Sequence, residues 1–195
     1  MQDLHDLIKK CSKCRLRATC TQVVPGEGPQ NAKIVFIAEA PGEEEDKQGR
    51  PLIGRSGQLF RNALKAASIK EDEVFISNTC KCRPPDNREP NPDEIEACWP
   101  WTLQLLQRIS PKIIVPLGAP ATMTLAMRFD FQKQLGGSKI TQIAGKPVFL
   151  AKRHFYVFPM FHPSFANRQN ERRSEFQAHM RYLGKAMNGW LERPI

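Results

Sequence analysis

The chain has no run of about 18 apolar residues, the length a membrane-spanning helix needs. Its opening segment, MQDLHDLIKKCSKC, has no uninterrupted apolar stretch of the kind a secretory signal carries. The expectation is an intracellular, cytoplasmic protein with no membrane partner. Also missing are a Walker A loop, a glycine fingerprint opening a helix, HExxH and GxSxG. Nucleotide hydrolysis, dinucleotide redox chemistry and the common hydrolase schemes therefore lose their usual sequence support. The glycines of GEGPQ, 26 to 30, precede an apolar run instead of opening a helix, and read as a turn. Acid is scarce as well: 20 Asp and Glu stand against 29 Lys and Arg, a formal net charge of +9. That excess favours a polyanionic partner, nucleic acid being the commonest.

What is present is an ordinary globular composition, 41% hydrophobic and 25% charged, over 195 residues, enough for one good core. The six cysteines are Cys11, Cys14, Cys20, Cys80, Cys82 and Cys98. In a reducing compartment they suit metal ligation better than disulfides. Cys11 and Cys14 form a CxxC pair that can turn two thiolates toward one centre, and Cys82 and Cys98 can close it. Four thiolates fit either zinc or an iron-sulfur cluster.

Four short runs rich in β-branched and aromatic residues read as buried strands: 33 to 40, 74 to 80, 112 to 118 and 154 to 161. Between and after them, 56 to 69, 91 to 109, 119 to 127 and 172 to 191 read as helices. Asn91 followed by Pro92, Asp93 and Glu94 has the form of a helix start. Strands alternating with helices predict an α/β fold: a three-layer α/β/α sandwich around a central, mostly parallel four-stranded sheet. Ligands of such folds gather at the carboxyl ends of the strands. Each unusual loop here lies there: EAPGEEED, SNTCKCRPPDNREPNP, LGAPA and FHPSFANRQ.

The segments EAPGEEEDKQGRPLIGRSGQLF, SNTCKCRPPDNREPNPDEIEAC and FPMFHPSFANR, in that order after an N-terminal CxxC, resemble the family 4 iron-sulfur uracil-DNA glycosylases. The resemblance runs from Cys11 to about Arg168. It implies a single domain over 1 to 195, whose N-terminal segment, about 1 to 25, packs on the 80 to 98 loop. It implies a [4Fe-4S] cluster on Cys11, Cys14, Cys82 and Cys98. It implies a monomeric, monofunctional glycosylase that flips uracil out of single- or double-stranded DNA and hydrolyses its N-glycosidic bond, leaving an abasic site.

Carried over residue by residue, the resemblance makes His162 the donor to charge growing on the uracil and Asn78 the reader of its edge. Glu39 becomes the carboxylate that stabilises the sugar cation or holds the attacking water. Ala38, Ala40 and Leu52 are placed around the base, and Phe165 and Ala166 as the wedge that fills the emptied stack. Ser164, Arg55 and Arg168 are assigned to the DNA backbone, with Arg172 and Arg173 beside them and Lys81, Arg83 and Arg88 as a second basic group. Two positions depart from the family. Leu52 stands where an aromatic commonly stacks on the base, and Ala38 replaces the first glycine of GEAPG. Glu43 to Asp46 read as a solvated flank, or one paired with Lys47 and Arg50. The competing readings are a cluster-bearing DNA-binding module with weakened catalysis, a glycosylase for a different modified base, and, more remotely, a small electron carrier.

Overall fold

The computed structural model describes residues 1–137 and 139–191. Its centre is a five-stranded sheet of β1 (Ile34–Ala38), β2 (Val74–Asn78), β3 (Ile113–Pro116), β4 (Val148–Leu150) and β5 (Phe155–Val157), in the order β2-β1-β3-β5-β4. β1 pairs in parallel with β2 and β3, and β3 with β5; only β4 runs antiparallel, against β5. The expected four strands are all present, each shorter than its apolar run. The fifth corrects the count: β4 has three residues, too few for a periodic pattern, and forms by folding back on β5.

Side chains alternate across the sheet, which separates two cores. Val35, Ile37, Phe75, Ile114 and Val157 pack on one face with Leu4 and Ile8 of α1 (Gln2–Lys9) and Leu105 of α5 (Pro92–Ile109). Ile34, Phe36, Ile76, Val115 and Phe158 pack on the other with Phe60 and Leu64 of α4 (Arg55–Ala66) and Phe176 and Met180 of α9 (Asn170–Leu191). Helices therefore cover both faces. α5 opens as its sequence predicts, with Asn91 as its cap and the Glu94 carboxylate accepting from the Asn91 N–H at 2.7 Å.

The acidic run is not a loop. Glu43–Gln48 forms a short helix, α3, in which neighbouring residues have opposite fates. Glu43 and Glu44 are exposed and pair with Lys47, as expected of a solvated flank. Glu45 and Asp46 are buried. Arg50 pairs not with this run but with Glu27, at 2.7 and 2.8 Å.

Candidate active site

One cavity of about 470 Å³ opens at the carboxyl ends of the strands. Glu39 reaches it from the end of β1, Asn78 from the end of β2 and His162 from the loop after β5. Ala40 and Leu52 line it, with Ser164 and Phe165 of α8 (Pro163–Ala166) at its rim. Its far wall is the loop between Cys82 and α5, through Pro84, Asn87, Arg88 and Glu89. Three separated sequence motifs thus converge on one space.

Asn78 is 2% exposed, and its Nδ2 amide is a buried donor without a hydrogen-bond partner. A donor left in this state costs about 1–3 kcal/mol unless a ligand satisfies it. The backbone below it is held from behind. The Lys81 ammonium, 1% exposed, donates to the Asn78 carbonyl, to Ser77 Oγ at 3.1 Å and to Thr102 Oγ1 at 2.9 Å. Lys81 therefore faces inward as a brace and does not join a DNA-facing basic group.

His162 caps α8. The Ser164 backbone N–H donates to its Nδ1 at 3.2 Å, and Ser164 Oγ lies 2.7 Å from the same atom. Nδ1 is therefore an acceptor, and the neutral ring carries its proton on Nε2. Burial pushes the His162 pKa down to about 4, against the opposing pull of Glu45. The ring is a neutral Nε2–H donor at pH 7. Behind it, Gly118 sits at φ +90°, and a Cβ there would stand 3.1 Å from His162 Cβ. The glycine of LGAPA is what lets that loop close behind the histidine.

Glu39 is partly buried and, among the described residues, has no basic partner within ion-pair distance. Burial, helped by the nearby Glu89 charge, raises its pKa to about 7. A carboxyl titrating there changes charge in the neutral range.

Glu45 and Asp46, expected to belong to a solvated or paired flank, are buried instead. Glu45 Oε1 accepts from the Ile53 and Gly54 N–H groups at 2.9 and 2.8 Å, and Oε2 from the Gly42 N–H at 3.2 Å. One carboxylate thus closes the 42 to 54 segment into a fixed loop around Leu52. Asp46 accepts from the Thr21 N–H at 3.0 and 3.1 Å and from the Gln22 N–H at 3.4 Å, fastening this loop to the N-terminal segment. Leu52 itself is 5% exposed at φ +48°. A Cβ at Gly57 would lie 2.0 Å from the Leu52 carbonyl oxygen, so only glycine permits that approach.

The remaining expected residues divide by burial. Arg55, Arg168 and Ser164 line a second, more open groove beside the cavity, together with Ser56 and Asn167 and, on its acidic side, Glu43, Glu44 and Glu45. Phe165 is half-buried against Phe161, with ring centroids 5.4 Å apart. Ala166 is fully buried, so Phe165 alone is left at the mouth. Ala38 is also buried, its methyl in the core beneath the cavity and not at its lining. Arg172 pairs with Glu175 and lies over the Phe161 ring; Arg173 donates to Asn167. Arg83 donates to Asn87, within the cavity wall.

The cysteines gather on the opposite side of that wall. Cys11, Cys14, Cys80, Cys82 and Cys98 line one small cavity closed by Leu16, Val23 and Trp101. The Trp101 Nε1–H donates to Cys11 Sγ at 3.1 Å, and the Lys81 N–H to Cys98 Sγ at 3.2 Å. No disulfide forms among the six, and among the described residues no three His, Cys, Asp or Glu side chains are arranged to hold a single metal ion. A thiol-lined, largely apolar enclosure with N–H donors to sulfur fits a thiolate-bound iron-sulfur group. Of the two cysteines outside the expected ligand set, Cys80 lines this cavity and Cys20 does not; both are buried.

Residues 25–184 match the family model of the uracil DNA glycosylase superfamily. The chain is 43% identical over 176 residues to a type-4 uracil-DNA glycosylase of Thermotoga maritima, covering 89% of this chain and 87% of that protein. It is 38% identical to one of Pyrobaculum aerophilum, covering 99% and 96%, and 33% identical to one of Archaeoglobus fulgidus, covering 95% and 94%. With the sheet, the convergent loops and the thiol-lined enclosure already in place, these matches settle that the chain belongs to the uracil DNA glycosylase superfamily.

Proposed function

We propose that the chain is a DNA glycosylase that removes uracil from DNA, and that the cavity is where the extruded base is held. The observation that carries this is the buried, partnerless Asn78 amide beside His162 and Glu39. An amide offers a donor and an acceptor side by side, which is what the O4 and N3–H edge of uracil requires. A pocket that buries such a group rejects a base that cannot pair with it, because the group is then left unsatisfied.

His162 Nε2–H donates to the uracil oxygen that gains negative charge as the glycosidic bond breaks. A neutral donor fits, since it need not lose a proton to act. Preorganised donors of this kind are worth about 10²- to 10³-fold in rate. Glu39, ionised above about pH 7, faces the positive charge growing on the sugar or orients the water that attacks it. Among the described residues no lysine lines the cavity, and Lys81 is spent on three internal oxygens, so water is the nucleophile and the reaction ends at the abasic site. Phe165 enters the gap left by the flipped nucleotide, while Arg55, Arg168 and Ser164 take the flanking phosphates.

Cys11, Cys14, Cys82 and Cys98 would hold a [4Fe-4S] cluster whose contribution is to cross-link the N-terminal segment to the loop that walls the cavity. The test is incubation of the purified protein with uracil-containing single- and double-stranded DNA, followed by alkaline cleavage, beside a panel of other deaminated or modified bases. Strand cleavage on uracil substrates that falls about 10²- to 10³-fold in His162→Ala, with visible absorbance retained, supports the reading. Binding without alkali-sensitive product from either substrate would refute it, and a colourless, zinc-containing native protein would refute the cluster.

A further inference from the structure

Glu94 is fully buried, yet it is neither a candidate thiolate ligand nor part of the cavity lining. Its carboxylate is held by three hydrogen-bond donors and a further ion pair. Oε1 accepts from Arg88 Nη2 at 2.7 Å and lies 3.1 Å from Arg15 Nε, and Oε2 accepts from Arg88 Nη1 at 2.8 Å and from the Asn91 N–H at 2.7 Å. Arg88 Nη1 also donates to the Glu89 carbonyl at 2.8 Å. Arg15 directly follows Cys14 and pairs with Asp93 as well. Arg88 and Glu89 belong to the cavity wall. A buried carboxylate gripped in a two-pronged guanidinium contact is a rigid joint, because releasing Arg88 leaves the buried Glu94 charge short of its main partner.

We propose that Glu94 is a positioning residue: through Arg88 it locks the 83 to 91 loop as the wall of the base pocket, and through Arg15 it ties that wall to the cysteine-bearing N-terminal segment. The proposal rests on Glu39 acting as the ionising group of the site. The charged or titratable groups facing Glu39 across the cavity are Glu45 from α3, His162 from α8, and Arg88 and Glu89 from the wall. Of these, Glu89 is the one whose charge raises the Glu39 pKa, after burial itself. Freeing the wall withdraws Glu89 and admits water, and both changes favour the Glu39 carboxylate. The acid limb of the rate therefore moves to lower pH. Loss of Arg88 charge alone would move it the other way.

The experiment compares pH profiles of uracil excision for wild type, Glu39→Gln and the charge-conserving double variant Arg88→Gln/Glu94→Gln. Visible absorbance and thermal unfolding are recorded on each. The double variant is expected to shift the acid midpoint down by about 1 pH unit and to raise KM about tenfold with a smaller change in kcat. Arg88→Lys, which keeps the charge and loses the two-pronged contact, shifts both in the same direction by less; it is the decisive variant if the double one does not fold. Wild-type midpoint and KM in the variants, with the limb abolished in Glu39→Gln, overturn the role of Glu94. A limb that persists in Glu39→Gln overturns the assignment of Glu39, and this proposal with it.

Discussion

Replacing Glu45 by alanine tests whether the acidic run holds a structural carboxylate inside a solvated flank. The substitution removes the acceptor for three backbone N–H groups, those of Gly42, Ile53 and Gly54. A fully buried donor stripped of its partner costs about 1–3 kcal/mol. These three lie on half-buried residues, where water replaces part of each bond, so the total is about 3 kcal/mol. For a chain of this length that corresponds to a melting temperature lowered by roughly 6–12 °C. Glu44→Ala, at an exposed residue sharing Lys47 with Glu43, changes stability by less than about 0.5 kcal/mol. The assay is thermal unfolding by circular dichroism of both variants, with uracil excision measured well below the transition. Glu45→Ala also frees the 42 to 54 loop around Leu52, so its excision rate falls even where it is folded, whereas Glu44→Ala retains it. Equal melting temperatures for the two variants would refute the division of the run into buried and solvated halves.

Excision is expected to rise with pH through a midpoint of about 7, set by Glu39, and to fall about tenfold per pH unit below it. His162 is neutral above about 4 and adds no limb between roughly pH 5 and 9, so His162→Ala lowers the plateau about 10²- to 10³-fold while leaving the midpoint in place. Between pH 4.5 and 6.5 the two shifts act on stability with opposite sign, His162 losing it as pH falls and Glu39 gaining it, so rate profiles and not melting curves carry the signature. Gly57→Ala drives a methyl into the Leu52 carbonyl, destabilising by about 1–3 kcal/mol in chemical denaturation and displacing the pocket loop. Leu52→Phe supplies a stacking face worth roughly 1–3 kcal/mol per base, so KM for uracil-DNA falls by about tenfold in steady-state assays.

The strands were legible because a parallel sheet covered on both faces writes itself as compact apolar runs. The helix starting at Asn91 was legible because its cap chemistry is local. Asn78 and His162 were singled out through the resemblance of the motifs around them, and both line the cavity. The fates of Glu45 and Asp46 were not legible. Locally only the Gly42 N–H, three residues back, singles out Glu45 from Glu44; the rest of the difference is made by N–H groups eight and nine residues further on, and for Asp46 by groups 24 and 25 residues back. Lys81 was misread for a related reason: a lysine between two cysteines looks like surface charge until Ser77, Thr102 and the Asn78 carbonyl close around it. Ala166 was expected to share the wedge with Phe165, but the single turn of α8 puts Pro163 and Ala166, three residues apart, on one buried face.

The two rims of the sheet carry a further consequence. A sheet this rich in Ile, Val and Phe is a template for adding another extended chain wherever a strand edge is bare. On one rim β2 is met by Glu27, whose backbone exchanges hydrogen bonds with Ile76 at 2.9 and 2.7 Å between Gly26 and Gly28, both at positive φ, so the contact turns away after a single bridge. On the other rim β4 offers only three residues before the chain turns at Ala151. Neither rim presents a ladder long enough to recruit a second strand. The protein is thereby protected against edge-to-edge aggregation without spending any of the loops that form the pocket.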